Sequence, residues 1–469
     1  MTGSRLRTIE YLSGAGTIDP ASVVSPAAVR VRNLDYLFAR TSDYPLAPPV
    51  VGPIDGVAAF AVDMDGTSTT TEPLALHSLE YMVRRFTDRP TVREWAGLDP
   101  VNDYPHVIGH SNQHHTTFLL DRYQADFRPA ALRDAFLESL AWTLAHLPDT
   151  SRARHVRETA RLCGLGQVIL SDAFRAAGHQ GQRQACDLSE AQFRAVLGAS
   201  AAAFRADDSG ARVRAALDVY YMRYHSILLR VQHGDAAALA AELLGDSRRR
   251  LIEPMPGYAA FVAVVKGWLG RDVAALRDEL VSQYRTAEKS WSDDNAGVEA
   301  LIEAAARFEQ SPAKLALVTA SIGFEAAVVM DEVRVRMADE VRRWPVAAVR
   351  RERILANLAE RERVFDAFVT ADDACEHRLK PHPDLYSLAL HRMGIEPRDY
   401  ARCVGVEDTE PGIVAVRAAG IGCAVALPNH DTRRQEFRAA THVLSDGLPE
   451  LLLGQHAMQR RRSPDSPSA

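Results

Sequence analysis

Four acidic residues stand at positions suited to phosphate chemistry. Asp63 and Asp65 directly follow a short apolar run, and Glu407 and Asp408 follow another such run much later in the chain. Carboxylate oxygens are the ligands that Mg²⁺ prefers, and an aspartate can attack phosphorus as a nucleophile. A second carboxyl group two residues away can transfer a proton beside the first. This set of residues predicts metal-dependent phosphoryl transfer.

A hydroxyl group and an ammonium group complete the set. Thr319 ends an apolar run that begins at Lys314, and Lys380 lies in a proline-rich, turn-like segment. Both side chains can hold the equatorial oxygens of a phosphoryl group during its transfer. Taken singly, Thr319 also fits a helix cap and Lys380 an exposed turn lysine. Their ordered occurrence after apolar runs favours the catalytic interpretation.

The elements that must position these residues are strands with helices between them. Apolar runs predict buried strands at 57–62, 314–318, 364–369, 402–406, 422–427 and 442–444. Helical patterns at 384–392 and 412–419 separate the later strands, which predicts an α/β fold with a doubly wound parallel sheet. The carboxyl ends of parallel strands share one edge of the sheet, where ligands bind. The residues expected to converge there are Asp63, Asp65, Thr319, Lys380, Glu407 and Asp408.

The chain also divides by composition. At 469 residues it exceeds the usual size of a single hydrophobic core. We predict an α/β core at 55–72 and 311–450, interrupted by a helical insertion at 73–310 that is rich in Ala, Leu, Arg and Glu. A domain inserted at a loop tip can act as a lid.

The two ends carry no recognisable motif. Residues 1–54 are an N-terminal extension to which we assign no role, and residues 27–40 within it suggest one short helix. Residues 451–469 finish in a basic, Ser/Pro-rich stretch, which we expect to be disordered because it cannot bury apolar surface.

The composition argues against several classes of protein. Lys and Arg total 55 against 61 Asp and Glu, so no basic excess indicates a nucleic-acid-binding protein. The apolar runs are too short for a membrane span, and the N-terminus lacks the apolar core of a secretory signal. Five scattered cysteines show no zinc-ligand spacing. We expect a cytoplasmic protein that acts on a small molecule, while its oligomeric state is not indicated.

Four motifs in order resemble those of the haloacid dehalogenase superfamily, in particular its phosphatase and β-phosphoglucomutase-like group. They are Asp63-Met-Asp-Gly-Thr67 with Thr71-Glu-Pro-Leu74, then residues 315–319 with Ala320-Ser321, then Lys380-Pro-His-Pro-Asp-Leu-Tyr386, and finally Gly405-Val-Glu-Asp-Thr409. The resemblance covers about residues 57–74 and 314–445, and most of the insertion is unmatched. It implies a Rossmann-like core with an inserted helical cap, which is unusually large here.

The resemblance implies a role for each motif residue. Asp63 would attack phosphorus and become an aspartyl-phosphate, while Asp65 would protonate the leaving oxygen and then deprotonate water. Thr319 and Lys380 would hold the transferring group. The implied magnesium ligands are Asp63, Glu407, Asp408 and the Asp65 backbone carbonyl. The implied substrate contacts beside the motifs are Thr71, Ala320 and Ser321.

A polar segment of the insertion contains further candidates. Residues 102–115 are rich in histidine, but Pro105 and Gly109 indicate a loop and so disfavour a helical metal site. In the family, the specificity segment of such caps lies at about this distance after the first motif. His110, Ser111 and Asn112 are therefore candidate substrate contacts, the alternative being ordinary polar residues of a surface loop.

The predicted function is Mg²⁺-dependent hydrolysis of a small phosphate ester. One alternative is a sugar phosphomutase, which would keep the aspartyl-phosphate until a sugar phosphate collects it. Another is a non-catalytic regulator that binds partners through its cap, but such a relative should have lost a carboxylate or the lysine, and all are present here. The sequence does not indicate the substrate.

Overall fold

The computed structural model describes residues 9–12, 27–33, 40–91, 93–107, 112–147, 150–181, 186–284, 296–374, 378–430 and 432–454. The chain forms two compact units. We call residues 1–70 with 252–469 the core unit, and residues 71–251 the helical unit.

The core unit is built on a six-stranded parallel sheet. In chain order the described strands are β1 (Ile9–Leu12), β2 (Ala28–Asn33), β3 (Arg40–Pro45), β4 (Ala59–Asp63), β5 (Thr69–Thr70), β6 (Glu253–Pro254), β7 (Lys314–Val318), β8 (Ala367–Val369), β9 (Cys403–Glu407), β10 (Cys423–Ala426) and β11 (His442–Val443). The large sheet has the order β11-β10-β9-β4-β7-β8, and every neighbouring pair in it is parallel. The predicted α/β class with a parallel sheet is confirmed. All residues of the inner strands β4 and β9 are buried, as expected for a sheet covered on both faces.

Helices make up most of the rest of the described chain. Those of the helical unit are α1 (Glu72–Thr87), α2 (Tyr104–Val107), α3 (Asn112–Arg122), α4 (Pro129–His146), α5 (Thr150–Ala160), α6 (Gly166–Ile169), α7 (Asp172–Gly181), α8 (Cys186–Ala199), α9 (Ser209–Gln232) and α10 (Ala236–Leu244). Those of the core unit are α11 (Tyr258–Val265), α12 (Arg277–Tyr284), α13 (Ala296–Gln310), α14 (Gly323–Val341), α15 (Ala348–Leu358), α16 (Arg361–Val364), α17 (Asp384–Arg392), α18 (Glu410–Ala418) and α19 (Gly447–Leu453). Within the helical unit, α4 packs against α8 and α9, and α1 packs against α9.

The insertion is shorter than the predicted range of 73–310. Residues 252–310 belong to the core unit, because α11 is apolar on every side and all eight of its residues are buried. Its Phe261 ring meets Phe60 of β4 edge-on, with centroids 5.2 Å apart. Val265 accepts a backbone hydrogen bond of 2.9 Å from Ala313, just before β7. Composition identified these residues as helical but did not show against which unit they pack.

The N-terminal extension holds a second sheet, in which β2 pairs antiparallel with both β1 and β3. The prediction of one short helix at 27–40 is therefore wrong for the described residues. Along β2, Val29 and Val31 are buried and Arg30 between them is exposed, which is the two-residue period of a half-buried strand. Arg30 also pairs with Asp43 on β3, at 2.8 Å between Nε and Oδ1.

A short antiparallel ribbon joins the two places where the core unit is interrupted. Thr69 and Thr70 of β5 pair with Pro254 and Glu253 of β6, and the Thr69 hydroxyl donates a 2.7 Å hydrogen bond to the Glu253 carbonyl. The ends of the insertion are thus held together by the core itself.

Among the described helices, none has both the length and the apolar character that crossing a lipid bilayer requires.

Candidate active site

Three adjacent strands place three of the predicted site residues at one edge of the large sheet. Asp63 ends β4, Glu407 ends β9 and Thr319 follows β7 directly, and β4 lies between the other two strands. Asp63, Thr319 and Glu407 are all buried, and Glu407 has no exposed surface at all. The sequence places them far apart, and the parallel register brings them together.

Lys380 lies at the centre of this cluster. Its ammonium group contacts Oδ1 of Asp63, lies 2.7 Å from Oε1 of Glu407 and donates a 3.2 Å hydrogen bond to the Val318 carbonyl. It is therefore bonded to the ends of β4, β9 and β7. The backbone N–H of His382 donates to the Leu379 carbonyl at 2.9 Å, which closes a tight turn around the lysine.

Three carboxylates form a group that can hold a metal ion. One oxygen each from Asp63, Glu407 and Asp408 lies within 4.8 Å of the others, and all three residues are buried. Among the described residues, these three carboxylates are accompanied by the Lys380 ammonium group, which contacts two of them, so carboxylates outnumber this cation in the cluster. Buried carboxylates without compensating charge are costly. A divalent cation with oxygen ligands fits both the geometry and the charge.

The pKa values express this crowding of charge. Burial and then the Glu407 charge raise the pKa of Asp63 well above its usual range, although Lys380 opposes the shift. Burial alone would lower the pKa of Lys380, but the charges of Asp63 and Glu407 outweigh it and raise that pKa. The lysine is therefore held in its charged form by its two carboxylate partners.

Asp65 has a different environment from Asp63. It is half-buried, and its Oδ2 atom accepts a 3.2 Å hydrogen bond from the Ser321 hydroxyl. The next residue, Gly66, has φ of +79°, and a Cβ atom there would lie 2.3 Å from Oδ2 of Asp408. Only glycine permits this turn, which lets the backbone pass close to the carboxylate cluster.

A second close approach places Glu407. A Cβ atom on Gly412 would lie 1.9 Å from Cδ of Glu407. The first turn of α18 can therefore lie this close to the carboxylate only because residue 412 is glycine. Thr409 caps α18 by accepting from the Gly412 N–H at 3.2 Å, and its hydroxyl donates to Oε2 of Glu407 at 3.1 Å. The glycine of the Pro-Gly pair after the fourth motif is thus required by its close approach to Glu407.

Three residues that sequence reasoning did not select also hold the carboxylates. Tyr386, which is fully buried, donates its hydroxyl to Oε1 of Glu407 at 2.7 Å. Asn429 donates to Oδ2 of Asp408 at 2.9 Å, and Thr67 to Oδ1 at 3.5 Å. Thr67 and Tyr386 were inside the motifs, whereas Asn429 follows the end of β10 and had no local signal beyond that position.

The remaining predicted substrate contacts are placed as follows. Ala320 is exposed, and the Ser321 N–H donates to the Thr319 hydroxyl at 3.0 Å, so both lie beside the core cluster. Thr71 precedes α1 in the helical unit and is buried. In that unit Asn112 begins α3 and donates to the Tyr221 hydroxyl at 3.1 Å. His110 and Ser111 lie outside the described residues.

Curated proteins share short stretches of sequence with this chain. Protein CbbY of Cereibacter sphaeroides is 38% identical over 88 residues, which are 19% of this chain and 35% of the relative. The fructose-1-phosphate phosphatase YqaB of Escherichia coli is 46% identical over 70 residues, which are 15% of this chain and 34% of the relative. The chain thus spans about a third of the length of these relatives. No family model matches it.

A solved structure similar to this chain is CbbY from Rhodobacter sphaeroides in complex with phosphate. It is 15% identical, with a TM-score of 0.35, over 84% of this chain and 96% of the other. Four motifs fall in sequence order at one edge of a parallel sheet, and the local matches include named phosphatases. In these motifs and local matches the chain is similar to proteins of the haloacid dehalogenase-like superfamily.

Proposed function

We propose that this protein is a Mg²⁺-dependent phosphohydrolase that cleaves a small phosphorylated metabolite through an aspartyl-phosphate on Asp63. One observation carries the proposal: Asp63, Glu407 and Asp408 form a buried carboxylate cluster, and Lys380 lies against two of them. Such a cluster destabilises a fold unless a cation compensates it. A bound metal ion would supply that compensation beyond what Lys380 provides.

The donor set suits a magnesium ion. Asp63, Asp408 and the Asp65 backbone carbonyl are the ligands we propose, with Glu407 completing the carboxylate group. Asn429 and Thr67 hold the Asp408 carboxylate and so orient it. When bound, the ion would offset the charge of phosphate oxygens and of the carboxylates around them.

The reaction divides between the first two aspartates. A carboxylate oxygen of Asp63 forms a bond to phosphorus as the bond to the leaving oxygen breaks, and Asp65 gives its proton to that leaving oxygen. Asp65 then takes a proton from water, whose oxygen attacks the aspartyl-phosphate and releases inorganic phosphate and the Asp63 carboxylate. The hydrogen bond from Ser321 holds the Asp65 carboxyl in place for both transfers.

Lys380 and Thr319 orient the transferring group. Lys380 is kept charged by Asp63 and Glu407, and a fixed ammonium group stabilises the negative charge on the equatorial oxygens of the transition state. Thr319 is held near the end of β7 and can offer its hydroxyl to the same oxygens. Substrate selection we assign to the helical unit, in which Asn112 is the described candidate.

The test is a screen of the purified chain against phosphate esters, with and without Mg²⁺. The panel includes fructose 1-phosphate, because one relative is named for that substrate, and a small unselective aryl phosphate. We expect Mg²⁺-dependent release of inorganic phosphate that Asp63→Asn abolishes. Release that persists in excess chelator would contradict the metal-dependent mechanism, and turnover that requires a bisphosphate activator would indicate a mutase instead.

A further inference from the structure

The N-terminal sheet β1-β2-β3 packs on the same core as the active-site strands. Val29 and Val31 of β2 lie in one hydrophobic cluster with Leu385 of α17 and Val414 of α18. Helix α17 follows the turn that carries Lys380, and α18 begins shortly after Glu407, at the end of β9, and Asp408. The extension is thus part of the core unit and lies behind both of these motifs.

A single row of residues across this sheet contacts both the turn that carries Lys380 and the first residue of α18. Tyr11 on β1 pairs with Val29 on β2, and Val29 pairs with Tyr44 on β3. Directly opposed residues in antiparallel strands point to the same face. The Tyr11 hydroxyl donates to Oε1 of Glu410 at 2.9 Å, and the Tyr44 hydroxyl lies 2.5 Å from Nδ1 of His382.

The contact between Tyr44 and His382 is well defined. The two rings also meet edge-on, with centroids 5.5 Å apart, and only 3% of His382 is exposed. Burial and the nearby Arg378 charge lower the pKa of His382, which favours the neutral ring. The unprotonated nitrogen of a neutral imidazole accepts hydrogen bonds, so Nδ1 of His382 can accept one from the Tyr44 hydroxyl.

His382 in turn fixes the lysine. It lies two residues after Lys380, and its backbone N–H closes the turn to Leu379. The Lys380 ammonium group must reach the ends of three strands at once, so a small movement of this turn would displace it from all three. A misplacement of about 1 Å in a reacting group can cost about a hundredfold in rate.

We propose that Tyr44 is a positioning residue, which holds the Lys380 turn through its contact with His382. The expected effect of Tyr44 on the rate rests on the proposed function, whereas its expected effect on the Lys380 turn does not. It gives β3, in the N-terminal extension to which the sequence analysis assigned no role, a part in organising the active site. The four motifs do not indicate this contact, because they contain His382 but not Tyr44.

Hydrogen exchange tests the structural part without any assumption about activity. Tyr44→Phe keeps the ring and removes the hydroxyl, and we expect faster amide exchange in residues 378–386 with little change in 28–33 and 403–407. Unchanged exchange in 378–386 would overturn the proposal, as would a rise that is equally large across the N-terminal sheet. Tyr400→Phe, which removes a phenol from the 3₁₀ segment before β9, is the matched control.

Kinetics test the functional part. We expect kcat/KM for a hydrolysed ester to fall about tenfold in Tyr44→Phe while the melting temperature changes by less than about 2 °C. Because the effect runs through His382, adding Tyr44→Phe to His382→Gln should cause no further loss. Additive losses would overturn this route. If the wild-type chain hydrolyses no ester, the proposed function fails, and the exchange result still decides the role of Tyr44.

Discussion

The hydroxyl of Tyr386 and the carboxylate of Glu407 form a 2.7 Å hydrogen bond in a part of the core that solvent does not reach. The oxygen that accepts this bond, Oε1, also lies 2.7 Å from the Lys380 ammonium group. One carboxylate oxygen therefore contacts both a buried phenol and the Lys380 ammonium group, and the glutamate is held by α17 as well as by its own strand.

Removing this phenol should weaken the site moderately. In Tyr386→Phe the Glu407 carboxylate keeps Lys380 but loses a buried donor, so we expect a loss of about 1 kcal/mol in the free energy of unfolding. Activity should fall about three- to tenfold, because Glu407 is less firmly held. Urea unfolding and steady-state kinetics measure the two effects. Activity equal to that of wild type would show that Glu407 is positioned without Tyr386.

Asp63→Asn should abolish turnover while the fold persists. The amide has nearly the same shape but cannot attack phosphorus, and we expect a fall in kcat of at least about a thousandfold. Circular dichroism and the melting temperature serve as controls for folding. Near-normal turnover by this variant would remove the covalent mechanism from consideration.

Asp408→Ala should weaken metal binding. Loss of a carboxylate ligand is expected to raise the Mg²⁺ concentration needed for half-maximal activity by about 10- to 100-fold. The increase in melting temperature that Mg²⁺ gives the wild-type chain should shrink in the same variant. Asp331→Ala on α14, a carboxylate exposed to solvent, is the matched control. Equal Mg²⁺ responses in both variants would argue against Asp408 as a ligand.

Asn112→Ala should change which esters are preferred. Asn112 is hydrogen-bonded to Tyr221 within the helical unit, so we expect the ranking among metabolite esters to change while hydrolysis of a small aryl phosphate falls less than about threefold. Tyr221→Phe shows how much of the change comes from loss of that hydrogen bond. A uniform loss on every substrate would place Asn112 in the fold or in the chemistry.

Glu340 on α14 should make the stability of the core unit depend on pH. Burial, and then the charge of Glu279, raise its pKa from 4.5 to about 7. The folded state therefore resists ionisation, and stability present below pH 4.5 is lost as the pH rises through 7. Glu340→Gln removes this penalty, and its gain over wild type should reach about 3 kcal/mol at most at pH 8 and be small near pH 4.5. Glu352→Gln on α15, which is exposed, should show no such trend in urea unfolding at the two pH values.

The sequence was most informative about the buried strands of the large sheet. The strands at β4, β7, β9 and β10 were predicted because fully buried strands are continuous apolar runs. The convergence of Asp63 and Glu407 was also expected, since the carboxyl ends of parallel strands share one edge of the sheet. The placement of α11 was not predictable, because an apolar helix shows that it is buried but not in which unit.

The contacts that hold the motif residues were the hardest to foresee. Tyr44 and Asn429 lie far along the chain from the groups they hold, and neither has a spacing that indicates a partner. In β2 the two-residue alternation of Val29, Arg30 and Val31 was present in the sequence, but so short a run does not distinguish a strand from a helix. Long-range register is decided by packing and not by local pattern.

The ribbon between β5 and β6 has a consequence for how such a chain can change over generations. Thr69 and Pro254 are register partners, so the core strands on either side keep their places whatever lies between them. The entropy of closing a loop grows only slowly with its length. Whole helices could therefore be gained, lost or exchanged between 71 and 251 without shifting the strands that carry Asp63 and Thr319. A lineage with this ribbon can vary its helical unit and leave the strands of the core unit in place.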